Sequence, residues 1–440
     1  ATNSLNINNM SANTATTCRK FATGNGLIKM KILVLNSGSS SQKACLFDLG
    51  SLLPDDPPKP LWEGKLEWRA DRAALEARTA SGAVAKENVE PGERSAATSH
   101  LLNELASGKT RVLESLSEID VVGHRIVNGG RAYNRPTVIT PEVESAIEKM
   151  AVFAPLHNRL ELDGIALIAT LFEKSRGAVP QVAVFDTGFH SSLPDAAAIY
   201  PGPYDWVEQG IRKFGFHGIN HQYCAGRAAQ ILGKNLADLK LITCHLGNGC
   251  SLAAIRGGKS IDTTMGFTPL DGLMMGTRSG SVDPGILTYL MREKKLDGKA
   301  LDELLNSKSG LLGISGISAD MREIIAGMKS GNQRAQLAFA IFVHRLRAGI
   351  GSMLAASNGA DAIIFTGGIG ENSAEVRSEA CSHFSFLKLL LDSAKNTAKP
   401  VDTDISSPES SVRILVISAQ EDWAVARECW KLFSRTSAAS

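Results

Sequence analysis

Short apolar runs separated by glycine-rich turns recur along the chain. The apolar runs at 32–35 and 44–47 flank a polar turn, which predicts a β-hairpin. A second run of the same design spans 241–255, and a third apolar strand at 363–366 leads into a glycine-rich turn at 367–370. The two hairpins predict equivalent parts of two duplicated domains, and three such turns, each after a strand, are much more specific than one.

The first of these turns carries glycine, several hydroxyl groups and Lys43. Backbone N–H groups, O–H donors and one positive charge at a common point are what a phosphate group needs. Because turns are polar in any case, this stretch alone leaves a plain surface turn equally open. The second copy, far along the chain, favours ligand binding, since two related domains can close on one nucleotide from both sides.

Between and after the hairpins the apolar pattern alternates between strands and helices. Within the mostly polar segment 51–110, only one strand and one short helix are predicted. The segment 309–322, rich in glycine and serine, is predicted to be a loop that leads into a helix. The remaining predicted elements are strands at 61–68, 119–122, 181–185 and 412–418, and helices at 101–105, 141–150, 284–294, 300–306, 333–357 and 422–433, with a helical stretch from Asn158 to Phe172 and a helix after Gly218 that holds His221 and Tyr223. This alternation predicts an α/β fold with two related domains.

Composition narrows the class of protein. The 440 residues suffice for two domains, and the 43% hydrophobic and 21% charged content is ordinary for an α/β enzyme. A formal net charge of +2 argues against bulk electrostatic binding to nucleic acid or membranes. No run of apolar residues is long enough to predict a membrane span. Seven cysteines without a C-x-x-C pair predict buried, reduced thiols and a reducing compartment.

The first 29 residues are rich in Ser, Thr, Asn and Ala, and the first acidic residue of the chain is Asp48. This composition is similar to an organelle transit segment or its remnant, and a disordered leader is the alternative. The folded part is predicted to begin at Met30. The predicted location is the cytoplasm or, with a transit segment, the mitochondrial matrix or chloroplast stroma.

Candidate catalytic residues stand next to predicted strands or glycines. Asp186 follows the strand 181–185, and an acid at the carboxyl end of a central strand is a favoured catalytic or metal position, with turn capping as the alternative. Arg125 lies between a strand end and a glycine pair, where a cleft position and a surface ion pair are both open. His217 is flanked by glycines, and Arg278 lies on a loop whose glycines allow close backbone approach.

Taken together, these residues resemble the acetate kinase family of the acetate and sugar kinase/heat-shock/actin superfamily. The resemblance covers about residues 30–433 and rests on nine motifs in order: NSGSSSQK, GHRIVNGG, APLHN, VFDTGFH, GFHG, CHLGNGCS, GFTPLDGLMMGTRSG, GLLGISGISADMR and FTGGIGEN. It implies an α/β fold of two duplicated actin-like (ribonuclease H-like) domains with the active site in the interdomain cleft. The implied N-terminal lobe is 30–187 plus 420–440, and the implied nucleotide-binding second lobe is 188–419.

The resemblance also implies a reaction, the reversible transfer of a phosphoryl group from ATP to acetate, giving ADP and acetyl phosphate by direct in-line transfer. Mg²⁺ is the implied cofactor, which Mn²⁺ can replace, and a homodimer is the implied assembly. A propionate or butyrate kinase of the same family is the alternative among enzymes. A nucleotide-gated binding protein like actin or a heat-shock chaperone is the alternative from another class, but it leaves Arg125 and Arg278 without a role.

Carried over residue by residue, the resemblance implies four sets of site residues. Arg125 binds substrate, Asp186 is the active-site acid, and His217 and Arg278 stabilise the transition state. The apolar pocket for the acetyl methyl group consists of Val127, Leu156, Phe216 and Pro269. The magnesium positions are Asn36 and Glu421. The nucleotide positions are Lys43, His245, Leu246, Gly247, Asn248, Gly249, Asp320, Met321, Arg322, Gly368, Ile369, Gly370, Glu371 and Asn372.

The chain departs from the usual family pattern without losing any of these charged groups. The departures are Asn128 for His, Arg159 for Pro, Ile219 and Asn220 for Thr and Ser, Ser281 for Asp, and Ala419 and Gln420 before Glu421. The last pair bears on the local geometry of Glu421.

Overall fold

A computed structural model describes residues 29–38, 41–69, 72–90, 93–151, 155–173 and 177–438, without the side chains of 69, 155–157 and 435–438. Residues 1–28, nearly all of the predicted leader, lie outside the described residues. The chain separates into two compact units, which we call unit 1 and unit 2. Unit 1 contains the described residues up to Gly188 and from Gln420 onward, and unit 2 is Phe189–Ala419.

Unit 1 is built on one mixed sheet. Its strands are β1 Met30–Ser37, β2 Ser41–Leu49, β3 Trp62–Arg69, β4 Arg72–Thr79, β5 Val84–Val89, β6 Val121–Ile126, β7 Thr137–Val138 and β8 Gln181–Phe185. Its helices are α1 Arg94–Asn103, α2 Pro141–Met150, α3 Pro155–Glu173 and α15 Glu421–Ala438. The strand order is β5-β4-β3-β2-β1-β6-β8-β7, and β1, β6 and β8 run parallel.

The sheet of unit 1 is held by apolar side chains on both faces. One core cluster contains Leu33, Leu46, Trp62 and Leu101, all almost fully buried. Helix α15 packs against β1, β2, β6 and β8. It lies so close to β6 that a Cβ on Gly123 would be 2.7 Å from the sulfur of Cys429. The C-terminal helix is therefore an integral layer of this unit.

Unit 2 repeats this plan. Its strands are β9 Lys240–Leu246, β10 Cys250–Arg256, β11 Lys259–Thr263, β12 Ala362–Thr366, β13 Thr403–Asp404 and β14 Arg413–Val416. Its helices are α4 Asp195–Ala198, α5 Asp205–Glu208, α6 Gly218–Leu232, α7 Pro284–Lys294, α8 Gly298–Ser307, α9 Gly310–Ser315, α10 Met321–Lys329, α11 Gln333–Ser357, α12 Gly367–Asn372, α13 Ala374–Cys381 and α14 Ser393–Thr397. The strand order is β11-β10-β9-β12-β14-β13.

The two sheets share one topology. In each, an antiparallel hairpin (β1–β2 or β9–β10) is extended by a third antiparallel strand on one side. On the other side the first hairpin strand pairs in parallel with a strand that itself pairs in parallel with the next (β6 and β8, or β12 and β14). The prediction of two related α/β domains is confirmed.

Several predicted elements need correction. Strands β4 and β5 were not predicted, because β4 buries mainly small alanines, Ala73 and Ala77 around Leu75, and its alternation gives a weak apolar signal. Strand β11 was likewise not predicted. Helix α1 begins seven residues before the predicted start at 101.

Three glycine-rich segments also differ from expectation. Residues 367–372 form the short helix α12 rather than a turn, and α9 lies inside the predicted loop 309–322. Glycine is a weak helix former in isolation, so both helices depend on tertiary packing. Strand β6 begins two residues later than predicted and includes Arg125.

The longest helix, α11, is apolar and 25 residues long, so length and composition alone would let it cross a membrane. Nearly half of its most apolar window is buried within the protein, and the core helix of a soluble protein passes the same test. In unit 2 it packs against α10, α9 and strand β10. Among the described residues the six cysteines are buried thiols, as predicted, and Cys18 lies outside them.

Candidate active site

Three predicted site residues of unit 1 lie at one edge of its sheet. Asn36 is near the end of β1, Arg125 near the end of β6, and Asp186 directly after β8. These strands are adjacent and parallel, so their carboxyl ends meet at the same edge. The sequence predicted each residue separately, and the parallel pairing brings them together.

Arg125 is the centre of this cluster. Its Nη2 donates a 2.8 Å hydrogen bond to Asp186 Oδ2, and its Nε lies 3.9 Å from Glu421 Oε2. Burial by itself lowers the pKa of Arg125, but the carboxylates of Asp186, Glu421 and Glu161 outweigh it and leave the pKa above its ordinary value. The guanidinium is therefore charged at any working pH.

Glu421 begins helix α15 and faces Asn36. Asn36 Nδ2 lies 3.3 Å from Glu421 Oε2 and 3.1 Å from Asp422 Oδ1, so both carboxylates accept from one amide. Burial raises the pKa of Asp422, which Lys43 and the hydrogen bond from Asn36 partly oppose. The two carboxylates hold the Asn36 amide in one orientation.

The donor atoms near Asn36 suit a hard cation. Within the described ranges, no group of three or more His, Cys, Asp or Glu side chains is arranged to hold a metal. Mg²⁺, however, commonly takes one or two protein carboxylates and completes its shell with waters and substrate phosphates. The carboxylates of Glu421 and Asp186 and the amide oxygen of Asn36 are oxygen donors of that kind, so these residues fit Mg²⁺.

Glu161 was not predicted as a site residue. It lies on α3, is 1% exposed, and both its carboxylate oxygens accept from the Val127 backbone N–H at 3.1 Å. Burial raises its pKa to about 8, although the Val127 N–H and Arg125 lower it. One signal was available in the sequence: Glu161 shares a helical face with Asn158, Ile165 and further buried residues.

We expect Glu161 to give the protein a distinct pH dependence of stability. A carboxyl whose pKa rises on folding from 4.5 to about 8 binds more protons in the folded state. Its contribution is therefore full below about pH 4.5 and is lost as the pH rises towards 8. Glu161→Gln keeps an acceptor for the Val127 N–H but cannot ionise. The Tm of this variant relative to the Tm of the wild type should therefore rise by about 4–8 °C between pH 5 and pH 8, because one pKa unit corresponds to about 1.4 kcal/mol of stability.

Thermal unfolding monitored by circular dichroism across this pH range tests the expectation. Glu173→Gln is the matched control, because Glu173 is an exposed glutamate of the same helix. A Tm difference for Glu161→Gln that stays constant with pH would contradict it.

Buried polar atoms without a hydrogen-bond partner gather around this cluster. Among the described residues, they include Arg125 Nε, Asn128 Nδ2, Asn158 Oδ1 and Thr187 Oγ1. Native proteins satisfy most buried polar groups, so such a concentration is typical of a functional site and agrees with the predicted one.

In unit 2, His217 has a strained backbone. It precedes α6 with a φ of 55°, a left-handed conformation that costs a non-glycine residue about 1–2 kcal/mol. Its ring stacks on His245 with centroids 4.0 Å apart. A Cβ on Gly249 would lie 3.4 Å from His217 Nε2 and 3.5 Å from Arg278 Nη1. His217 and Arg278 therefore flank the same hairpin turn, as predicted residues of one site.

The Arg278 guanidinium is held by its own loop. Nη1 donates to the Pro269 carbonyl oxygen at 3.1 Å and lies 3.6 Å from the Met275 sulfur. Burial lowers the pKa of Arg278 from its ordinary value, with a small opposing effect of Cys250. These contacts restrain a cation next to His217, and among the described residues no carboxylate forms an ion pair with it.

The predicted nucleotide loops converge on one cavity of unit 2. Its volume is about 780 Å³, and it lies between the β9–β10 turn, the start of α10 and helix α12. The tight crossing of β9 and α12 requires Gly367, which has a φ of 77° and would place a Cβ 2.8 Å from the Leu246 carbonyl oxygen. Eight predicted nucleotide residues line the cavity: Gly247, Asn248, Asp320, Met321, Arg322, Gly368, Ile369 and Asn372.

The other predicted residues lie elsewhere. Leu246 and Gly370 are buried, and Glu371 accepts from the backbone N–H groups of Gly367 and Ala419. Lys43 is an exposed residue of unit 1, paired with Asn36 across the hairpin.

Of the four residues predicted for the acyl pocket, two belong to unit 1 and two to unit 2. Val127 is buried in unit 1, and the Leu156 side chain lies outside the described residues. Phe216 and Pro269 belong to unit 2, where Phe216 is 2% exposed.

Comparison with known proteins agrees with these observations. The model of the Acetokinase family matches residues 31–427. Curated acetate kinases from Nostoc sp. and Gloeobacter violaceus are 58% and 56% identical over 409 residues, covering 92% of this chain and all of theirs. The crystal structure of Porphyromonas gingivalis acetate kinase is similar with a TM-score of 0.82 at 38% identity, covering 92% of this chain and 99% of that one. A propionate kinase structure from Francisella tularensis also has a TM-score of 0.82, at 37% identity, covering 91% and 98%.

Proposed function

The chain belongs to the Acetokinase family, and from this premise we propose that it catalyses reversible phosphoryl transfer between ATP and acetate. The observation that carries the proposal is the cluster of Arg125 with Asp186 and Glu421 at the carboxyl ends of parallel strands. A buried arginine beside oxygen ligands for Mg²⁺ is what an anionic acceptor needs in order to meet a phosphate. The products are ADP and acetyl phosphate.

The chemistry to be solved is charge repulsion. Acetate, like a glutamate side chain with a pKa of about 4.3, is already ionised at neutral pH, so no base is needed to activate it. Two unit charges 4 Å apart repel by about 4 kcal/mol at an effective dielectric of about 20. The site must therefore supply positive charge and N–H donors rather than remove a proton.

We assign the acceptor side to unit 1 and the nucleotide side to unit 2. Arg125 grips the acetate carboxylate with its planar fork, which matches a carboxylate by two N–H bonds. Arg278 and the ring N–H of His217 stabilise the equatorial oxygens of the transferring phosphoryl group. The cavity lined by Asp320 and Gly368 holds the nucleotide.

Asn36, Glu421 and Asp186 would hold Mg²⁺. The ion supplies charge neutralisation of the phosphate oxygens when bound. Asp186 then orients the ion or its water, and also keeps Arg125 in place through the 2.8 Å ion pair. Because acetate has no proton to lose, Asp186 is not a general base.

Val127 is proposed to line the pocket for the acetyl methyl group. Val127→Ala removes two methyl groups from a buried position directly after β6 and should favour propionate or butyrate over acetate, by no more than about 10–200-fold. Initial rates with the three acids, compared as kcat/KM, measure this. Val143→Ala, a buried valine of α2, is the matched control for core loosening.

Unchanged acyl-length selectivity in Val127→Ala would place the pocket elsewhere. For the wild type, acetate is the expected substrate rather than propionate, because the curated relatives at 54–58% identity are acetate kinases.

A hydroxamate assay with acetate, ATP and Mg²⁺ tests the function directly, because hydroxylamine traps acetyl phosphate. Reactions without acetate and without Mg²⁺ are the controls. Slow ATP hydrolysis without hydroxamate would instead favour a nucleotide-gated binding protein. A higher kcat/KM for propionate or butyrate would favour a longer-chain acyl kinase.

The assembly is proposed to be a homodimer. Helix α7 has no buried residue within the chain, and Ile286, Tyr289 and Met291 on it are about half exposed. An exposed apolar helix of this kind is typical of a protein interface. Light scattering of the purified chain gives the molar mass that decides it.

The cellular location remains a proposal as well. A cytoplasmic location agrees with the buried thiols of the described cysteines, which a reducing compartment maintains. The mitochondrial or plastid alternatives depend on residues 1–28, which lie outside the described residues.

A further inference from the structure

Four histidines, His190, His217, His221 and His245, lie close together in unit 2. Their ring centroids are 4.0 Å apart for His217 and His245, 5.6 Å for His190 and His221, and 6.5 Å for His217 and His221. The proposed function gives His217 a role as a donor but leaves His221 and its partners without one.

A continuous hydrogen-bonded chain leads to His217. Thr243 Oγ1 lies 2.6 Å from His221 Nδ1, and His221 Nε2 lies 2.7 Å from Ser251 Oγ. Ser251 Oγ in turn lies 2.9 Å from His217 Nδ1. Thr243, His221 and Ser251 are fully buried, so this chain is shielded from water.

His221 is neutral in this setting. Burial holds the pKa of His221 well below its ordinary value, and the neighbouring His190 and His245 lower it further. A neutral imidazole has one N–H group that donates a hydrogen bond and one unprotonated nitrogen that accepts one. One of its two hydroxyl partners must therefore donate to His221 and the other must accept from it.

Only one direction of the chain uses every hydroxyl hydrogen well. If Thr243 donates to His221 Nδ1, then His221 Nε2–H donates to Ser251, and Ser251 donates to His217 Nδ1. In the reverse direction the Thr243 hydrogen is left with the Ala253 carbonyl oxygen at 3.5 Å, where a hydrogen bond is weak. In the first direction His217 Nδ1 is unprotonated and accepts from Ser251, so the His217 proton is on Nε2.

The surroundings of His217 also oppose a charged ring. Within the contacts described for unit 2, the titratable and charged groups that face it are His221, His245 and Arg278. His245 is stacked at 4.0 Å, and the Arg278 guanidinium flanks the same glycine. A nearby cation disfavours a second positive charge.

We propose that Thr243, His221 and Ser251 are positioning residues that hold His217 as a neutral imidazole with its proton on Nε2. This inference rests on the proposed function, in which Nε2–H donates to the transferring phosphoryl group. The hydrogen-bonded chain of these three residues then keeps His217 as an N–H donor whose charge does not change with pH. The wild-type kcat should accordingly show no ionisation near pH 6.5, where an ordinary histidine titrates.

NMR of the full chain labelled with ¹⁵N-histidine tests the tautomer without relying on activity. The nitrogen shifts separate a protonated from a bare ring nitrogen, and the His217 signals are those lost in His217→Gln. We expect protonated Nε2 and bare Nδ1 from pH 6 to 8. A protonated Nδ1 or an imidazolium at pH 7 would overturn the proposal, even if the hydroxamate assay finds acetate kinase activity.

Steady-state kinetics of variants test the role of the hydrogen-bonded chain. Thr243→Val keeps the shape but removes the first donor, and should lower kcat by about 10–100-fold with KM changed less than about threefold, the scale seen when the partner that orients a histidine is lost. The variant should also gain an ionisation of kcat between pH 5.5 and 7.5, and Thr243→Ser should restore a flat profile. Thr263→Val is the control, because Thr263 is a buried strand threonine whose hydroxyl donates to the Leu252 carbonyl oxygen. A flat profile in Thr243→Val would contradict the proposal.

Discussion

Replacing Arg278 by alanine is expected to lower kcat by about 10²–10³-fold, the cost of removing one preorganised donor from a transition state. The guanidinium is buried beside His217 and is held by the Pro269 carbonyl oxygen rather than by a carboxylate. The positive charge of Arg278 is therefore able to interact with the transferring phosphoryl group. Arg278→Ala should accordingly lower kcat more than it raises KM.

Arg278→Lys separates charge from geometry. Lysine retains one positive charge but lacks the planar fork, so its kcat should lie between wild type and alanine. Arg227→Ala is the matched control, because Arg227 is a partly buried arginine of unit 2 that pairs with Asp402 at 2.9 Å. A wild-type kcat in Arg278→Ala would remove this residue from the catalytic site.

Replacing Asp186 by asparagine is expected to lower kcat by about 10²-fold or more, the upper range for losing a group that orients a metal ligand. The change removes the carboxylate that pairs with Arg125 at 2.8 Å, while both side chains are nearly buried. The buried Arg125 charge then loses its 2.8 Å partner and keeps the Glu421 carboxylate at 3.9 Å, so the free energy of unfolding should also fall, by up to about 3 kcal/mol.

Measurements of kcat, of the Mg²⁺ concentration needed for half-maximal rate and of urea unfolding separate these two effects. Asp262→Asn serves as control, since Asp262 forms a 3.0 Å ion pair with Lys213 outside the proposed site. Full turnover in Asp186→Asn at saturating Mg²⁺ would exclude Asp186 from the chemistry.

Local sequence predicted the parts of the fold that depend on the spacing of apolar residues and on residues that end a helix or a strand. Helices 141–150, 284–294 and 333–357 and strand 181–185 match the structure to the residue, because each has a clear apolar period and a breaker at its end. Strand β4 and helix α12 were not predicted. The buried residues of β4 are mainly alanines and half of α12 is glycine, so tertiary packing decides their conformation.

The candidate site shows the same division. The family resemblance named Arg125, Asp186 and Glu421, but only the parallel pairing of β6 with β8 and the packing of α15 bring the three together. Glu161 carries no motif, and its burial against the Val127 N–H follows from the docking of α3.

By itself, the order of residues predicted which side chains carry the chemistry, and it determined that the chain forms two related α/β units, since short-range period and glycine spacing are local properties. The tertiary structure decided which nitrogen of His217 bears a proton, how far the pKa of Glu161 is raised, and which loops share a cavity. Those properties depend on burial and on neighbours distant in the chain. Local pattern carries no information about them, because desolvation and hydrogen-bond direction exist only once the units are packed.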